Sequence, residues 1–228
     1  MSKSDHSFIR STSAMWLSVA ALMVQLLLAA CTTDAYESGE GKYSHLTAEF
    51  GMAHTVEKGK IDAFTTDGGR HITLASHATA SWATTPDSLY RSLLYFYDNE
   101  NGVAPFSIAQ VFVMKPAIPK EGENLSYDPL TLSSLWQSDD GKWLNMRLDI
   151  KSGEADDPKA VHNVGIVKES VADGVYKLRI IHARNSRPEY YTSTVYASIP
   201  VEEEMIGRRV DISATTYNGE KTLSVEVE

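Results

Sequence analysis

Apolar and polar residues alternate with period two over most of this chain. Leu144, Met146, Leu148 and Ile150 interleave with Asn145, Arg147, Asp149 and Lys151. Successive strand residues point to opposite faces, so this stretch predicts a β-strand with one buried and one wet face. The same alternation predicts strands over residues 47–56, 61–66, 71–75, 92–97 and 106–114. Further strands are expected over residues 161–167, 175–182, 191–199, 210–216 and 223–227. Turn signals separate them: Asp67-Gly68-Gly69, Asp139-Asp140-Gly141, Asp173-Gly174 and Asn218-Gly219. Two single helical turns are expected, one begun by Thr85-Pro86-Asp87 and one over residues 201–207 closed by Gly207. Prolines 116, 119 and 129 interrupt the pattern and mark a linker, since proline cannot continue a central strand. The fold class is therefore all-β, with strands spaced as in a β-sandwich in the second half.

One segment departs from period two. Residues 15–30 are apolar apart from a few polar positions such as Gln25, with Lys3 and Arg10 upstream, and they end at Leu28-Ala29-Ala30-Cys31. That is the layout of an export signal with a cysteine at the cleavage position. The apolar run is short of the roughly 20 residues a membrane-spanning helix needs. Leu28-Ala29-Ala30-Cys31 resembles the lipobox of bacterial lipoproteins, which implies acylation of Cys31 and removal of residues 1–30. Thr32 stands where an Asp retains many lipoproteins in the inner membrane, so the outer membrane is the expected location. Residues 31–46 are polar, acidic and without apolar period, the composition of a flexible tether.

Charge and chemistry narrow the function classes. The chain carries a net charge of −9. Its first 30 residues contribute Lys3, Arg10 and Asp5, so the remainder carries −10. An acidic body disfavours phosphate-backbone binding and adhesion to anionic lipid, so no nucleic-acid partner is expected. Cys31 is the single cysteine, which leaves the body without disulfides or thiolate metal sites. His45, His54, His71, His77, His162 and His182 show no helical zinc spacing, although a β-ladder could bring His162 near His182. Gly-x-Ser-x-Gly and phosphate-cradling glycine loops are absent from the sequence. The acidic pairs Asp139-Asp140 and Asp156-Asp157 lack the EF-hand ligand order. No catalytic set, metal site or cofactor is expected. Trp136, Trp143 and Tyr191, with Tyr190 and Tyr196, are candidates for a sugar-stacking or protein-binding patch, though aromatics in strands more often fill cores.

Local motifs add a resemblance. Leu135-Trp136 with Trp143-Leu144-Asn145, the stretch His162-Asn163-Val164-Gly165-Ile166-Val167, and Leu178-Arg179-Ile180-Ile181-His182-Ala183-Arg184-Asn185 resemble sandwich strands of the NigD-like lipoproteins of anaerobic Gram-negative bacteria. Ile sits between Arg179 and His182 where that family usually has Arg directly before His. Arg91 with Leu93, Leu94 and Tyr95 resembles the fourth strand of the family's barrel. The resemblance implies an OB-like five-stranded barrel over residues 47–116, a linker over 117–130 and an antiparallel β-sandwich over 131–228. It implies no activity. The expected function is a membrane-anchored, non-enzymatic envelope protein that binds an envelope component or secreted factor. A carbohydrate-binding lipoprotein and a fibre subunit are the alternatives.

Overall fold

A computed structural model describes residues 45–99, 102–155, 157 and 160–228. The expected export signal, Cys31 and most of the expected tether lie outside the described residues. Five strands form the first half: β1 (Leu46–Glu57), β2 (Lys60–Thr66), β3 (His71–Thr79), β4 (Ser88–Asn99) and β5 (Gly102–Gln110). They close in the order β1-β2-β3-β5-β4, with β4 pairing back onto β1. This is the closed Greek-key barrel expected of an OB-like domain. Closure gives each strand two neighbours and leaves an interior filled by Ile61, Phe64, Leu94 and Phe96, all with no exposed surface.

Gly51 makes the barrel's tightest approach. A Cβ there would sit 2.6 Å from Phe64 Cε1 and press on the Thr65 carbonyl, so only glycine lets β1 cross that close to β2. β5 starts earlier than the apolar pattern predicted and includes Pro105. Pro105 pairs with Phe96 next to a register shift in β4, where a missing N–H is tolerated. The turn expected from Thr85-Pro86-Asp87 is not helical. Asp87 takes a positive φ of 50° and the chain enters β4 at Ser88.

The second half holds β6 (Phe112–Val113), β7 (Thr131–Gln137), β8 (Trp143–Ser152), β9 (Asn163–Ala172), β10 (Val175–Ala183), β11 (Tyr191–Pro200), a 3₁₀ turn at Glu203–Met205, β12 (Arg209–Thr216) and β13 (Gly219–Glu226). Two four-stranded sheets result, β6-β11-β8-β7 and β13-β12-β10-β9. Their inner faces are read directly from the alternation. Leu144, Met146, Leu148 and Ile150 of β8 meet Tyr176, Leu178 and Ile180 of β10 and Val210, Ile212 and Ala214 of β12 in one core.

Three expectations need correction. The sandwich is not wholly antiparallel: β12 runs parallel to β10, and β6 runs parallel to β11. The chain leaves β10 for the other sheet as β11 and returns through the 3₁₀ turn, so β12 arrives beside β10 in the same direction. Residues 112–114 do not belong to the barrel: β6 pairs with β11, and the Met114 N–H donates to the Ser198 carbonyl. Residues 117–130, expected as a linker, are tied to the sandwich along their length. Ala117 bridges to Val167, Tyr127 bridges to His182, and the Leu130 N–H donates to the Thr215 carbonyl at 3.1 Å.

Candidate functional site

The barrel packs on the outer face of the β8–β11 pair, and the joint is built around one charged side chain. Arg91 of β4 sits among apolar neighbours in sequence, yet its side chain has no exposed surface. It forms a two-pronged pair with Asp67 of the β2–β3 turn, the second prong at 2.6 Å. The guanidinium also donates to Asn145 Oδ1 at 2.8 Å and Ser198 Oγ at 3.1 Å. Ser198 in turn donates to Asn145 Oδ1 at 2.7 Å. Every buried donor and acceptor in this network is thereby satisfied, the condition under which a buried ion pair is tolerated.

Aromatic rings wall this network. The Arg91 guanidinium lies 4.8 Å from the Trp143 ring and 5.8 Å from the Phe50 ring. Phe50 meets Trp136 and Tyr196 edge-on, each at 5.4 Å. Trp136 and Trp143, candidates for sugar stacking, therefore spend ring surface on the barrel joint. Tyr191 is 56% exposed and lies at the other end of the ladder: it pairs with Ser152, whereas Trp143 pairs with Pro200. The three do not share a patch. The outer face of β8 is also less wet than its alternation suggested, because the barrel buries Asn145 completely.

A second constellation lies at the open side of the sandwich. Between β11 and β9, beside the short β6, is a cavity of about 370 Å³. Val113, Leu148, Ile150, Val164 and Val195 give it an apolar wall, and Ser152 and His162 form its polar end. The volume lies at the lower end of the range of about 300–1,000 Å³ typical of ligand sites.

The polar end carries a defined chain of hydrogen bonds. His182 Nδ1 lies 3.1 Å from the Asp128 carbonyl, which only accepts, so that nitrogen carries the proton. His182 Nε2 lies 2.9 Å from His162 Nδ1, and His162 Nε2 lies 3.1 Å from the Ser152 hydroxyl, so one hydrogen-bonded chain joins the three side chains. The two rings stack with centroids 5.2 Å apart. The β9–β10 register places His182 opposite Val164, which brings residue 162 alongside. The sequence left this proximity open and the ladder realises it.

The relay has the order of a serine–histidine pair with a third group behind it, but its electrostatics differ from a catalytic triad. A triad places a carboxylate behind the histidine to stabilise the imidazolium. Here an imidazole stands there in place of the carboxylate. Burial lowers the His162 pKa below its ordinary 6.5, and His182, Arg187 and Arg184 lower it further, outweighing Asp128. These influences favour the neutral form of His162 and make it a weaker base than a free imidazole. Ser152 and His162 present hydrogen-bonding groups at this end of the cavity.

The remaining candidates lie apart. His54 contacts Asp62 at 2.7 Å and Asp87 at 3.1 Å on the barrel surface. The hydrogen bond to Asp62, then that to Asp87, raises its pKa above 6.5. Asp140 is spent on its own turn, accepting from Ser138 Oγ at 2.6 Å and the Lys142 N–H at 3.1 Å. Asp156 lies outside the described residues. Among the described residues no three His, Asp or Glu side chains converge as metal ligands do.

The two shifted histidines predict opposite titrations. In an NMR titration of ring protons, His54 is expected to titrate above pH 6.5 and His162 below it. The linkage signs follow. Stability from His54 is full below 6.5 and is lost as pH rises through its folded value. Stability from His162 is present above 6.5 and is lost as pH falls through its folded value. A His162 midpoint at or above 6.5 would contradict the buried, neutral assignment.

Arg91 and the His162–His182 pair are the features that sequence reasoning underweighted. One signal was available: a single arginine inside the apolar run Leu89 to Tyr97 demands a partner. Nothing local identified that partner.

No family model matches the sequence, and no curated protein matches it. Solved structures do. A NigD-like immunity protein from Bacteroides caccae is 22% identical, with the match covering 79% of this chain and 91% of that one at a TM-score of 0.59. A protein of unknown function from Bacteroides vulgatus is 16% identical, covering 80% and 92%, at a TM-score of 0.56. A candidate lipoprotein from Bacteroides fragilis is 11% identical, covering 80% and 98%, at a TM-score of 0.58. The chain has the fold of these proteins, and the relation to NigD-like structures expected from its motifs is shown at that level.

Proposed function

We propose that this protein is a lipid-anchored, non-enzymatic accessory protein of the cell envelope, and that its sandwich holds a partner protein. The observation that carries the reading is the cavity between β11 and β9. It is apolar, and Phe112 and Val113 at its rim are 54% and 45% exposed. Exposed apolar residues grouped at the mouth of a cavity mark interaction sites. The group behind His162 is an imidazole where a catalytic triad has a carboxylate, which argues for binding over catalysis. The Bacteroides caccae relative is named an immunity protein. A partner drawn from envelope components or secreted factors accords with that name.

Leu28-Ala29-Ala30-Cys31 supports the anchor, and Thr32 favours the outer membrane. Two or three acyl chains hold a protein stably, at about 0.8 kcal/mol per buried CH₂. Cys31→Ala is expected to abolish labelling by radioactive palmitate and detergent-phase partitioning, leaving a full-length precursor. A processed Cys31→Ala protein that still partitions with detergent would refute the anchor. The partner reading has its own test. A photo-reactive residue at Val113 is expected to give protein adducts in intact cells, while one at Lys177, exposed on the opposite sheet, gives none. Equal adducts from both positions, or none from Val113, would defeat it.

A further inference from the structure

We propose that the partner is captured by strand addition: an extended segment of a partner protein, apolar at alternate positions, pairs with the free edge of β11 and fills the cavity beneath it. This rests on the reading that the sandwich binds a protein, and it names how.

The edge is unfinished. β6 pairs with β11 at only two positions, Ala197 with Phe112 and Ser198 with Val113. β11 extends another six residues, Tyr191 to Tyr196, paired on its other side with β8. The Met114 N–H donates to the Ser198 carbonyl at 2.9 Å, so Ser198 aims its peptide groups at β6. Strand geometry repeats every second residue. Thr194 and Thr192 therefore aim their N–H and C=O groups at the same edge, where no described strand meets them.

Among the described residues the edge is also unguarded. Sheet edges are normally protected by charge, proline or a cover. β9 carries Lys168 and Glu169, and β13 carries Glu220, Lys221 and Glu226. The β7 carbonyl at Leu132 accepts from Lys221 Nζ at 2.7 Å. Tyr191 to Tyr196 has no charge and no proline, and it is rich in β-branched and aromatic residues. Those are the residues that favour pairing.

The cavity specifies the occupant. Ser193, Val195 and Ala197 turn their small side chains inward and leave the space that a neighbouring strand's larger side chains would take. A segment continuing the line of β6 would drop alternate side chains onto Leu148, Ile150 and Val164. Residues 32–45 of this chain are polar and acidic and supply no apolar alternation. A second copy's β11 would bring inward only the same small side chains. An external segment with bulky apolar residues at alternate positions meets both requirements, as in β-augmentation. Ser152 and His162 close the Tyr191 end, so the segment is polar there.

The test uses the full-length lipidated protein in detergent and the peptide Lys-Lys-Thr-Val-Thr-Leu-Thr-Val-Thr-Lys. Hydrogen exchange is expected to slow at the Thr192 and Thr194 amides when peptide is added. N-methylation of alternate peptide amides is expected to weaken binding at least ten-fold, because it removes pairing while keeping the side chains. Thr194→Pro, and independently Ser193→Phe to fill the cavity, are each expected to cost at least ten-fold with near-ultraviolet dichroism unchanged. No protection at saturating peptide would overturn strand addition. Equal binding by the N-methylated peptide would also overturn it, showing a pocket for side chains or a small ligand. Neither result touches the Val113 adduct, whose loss alone removes the partner reading.

Discussion

Arg91→Ala is expected to destabilise the folded body by about 3–5 kcal/mol, the cost of breaking a buried ion pair from one side. Asp67 would be left without its two-pronged partner, and Asn145 and Ser198 would lose a donor inside the joint. Arg91→Lys keeps the charge but not the fork, so it is expected to fall between. The pair is expected to be specific rather than strongly stabilising. Replacing Arg91 by Met together with Asp67 by Leu should cost less than either single change, because no charge is stranded. Guanidinium denaturation of the four proteins reads this cycle directly. It also reads cooperativity. Arg91 ties β4 of the barrel to β8 and β11 of the sandwich, so its loss is expected to split one unfolding transition into two. A single transition at unchanged midpoint would show that the joint is held by Phe50, Trp136 and Tyr196 without it.

Phe64→Ala is expected to cost about 3–5 kcal/mol, the usual range for deleting a fully buried phenylalanine. Phe64 has no exposed surface, and its ring fills the barrel where β1 crosses β2 over Gly51. The neighbouring change runs the other way. Gly51→Ala adds a Cβ 2.6 Å from Phe64 Cε1, and overpacking of this kind costs about 1–3 kcal/mol. Combining Gly51→Ala with Phe64→Leu is expected to recover only part of that loss, since the Thr65 carbonyl is also in the way and backbone cannot move aside as a side chain can. Denaturation midpoints of the three proteins check both claims. A Gly51→Ala protein as stable as the parent would mean that β1 can shift away from β2 without cost.

Much of the fold was legible because it is local. Period-two alternation marked β8, β10, β11 and β12 to within a residue or two, and Asp173-Gly174 and Asn218-Gly219 marked their hairpins. Gly207, with φ of 70°, ends the short 3₁₀ turn where the pattern placed one. Errors came where a strand's limits depend on its neighbours. The strand expected over residues 106–114 is β5, Gly102–Gln110, which includes Pro105 beside a register shift in its pairing with β4. Phe112 and Val113 looked like the end of a barrel strand and belong to the sandwich because β11 had an open edge for them.

By itself the sequence determined the all-β class, the turns, the Leu28-Ala29-Ala30-Cys31 motif that points to an anchor, and the alternating faces of the strands. Those properties follow from residues a few positions apart. The tertiary structure alone decided what each face meets. It buried Arg91 against Asp67 and Asn145, 24 and 54 residues away. It turned Trp136 and Trp143 onto the barrel, stacked His162 on His182, and left most of one β11 edge without a partner strand among the described residues, beside an apolar cavity. The reason is that a strand's partner is set by closure of the barrel and the packing of two sheets. Alternation states that a face will be covered, but only register and topology state by what.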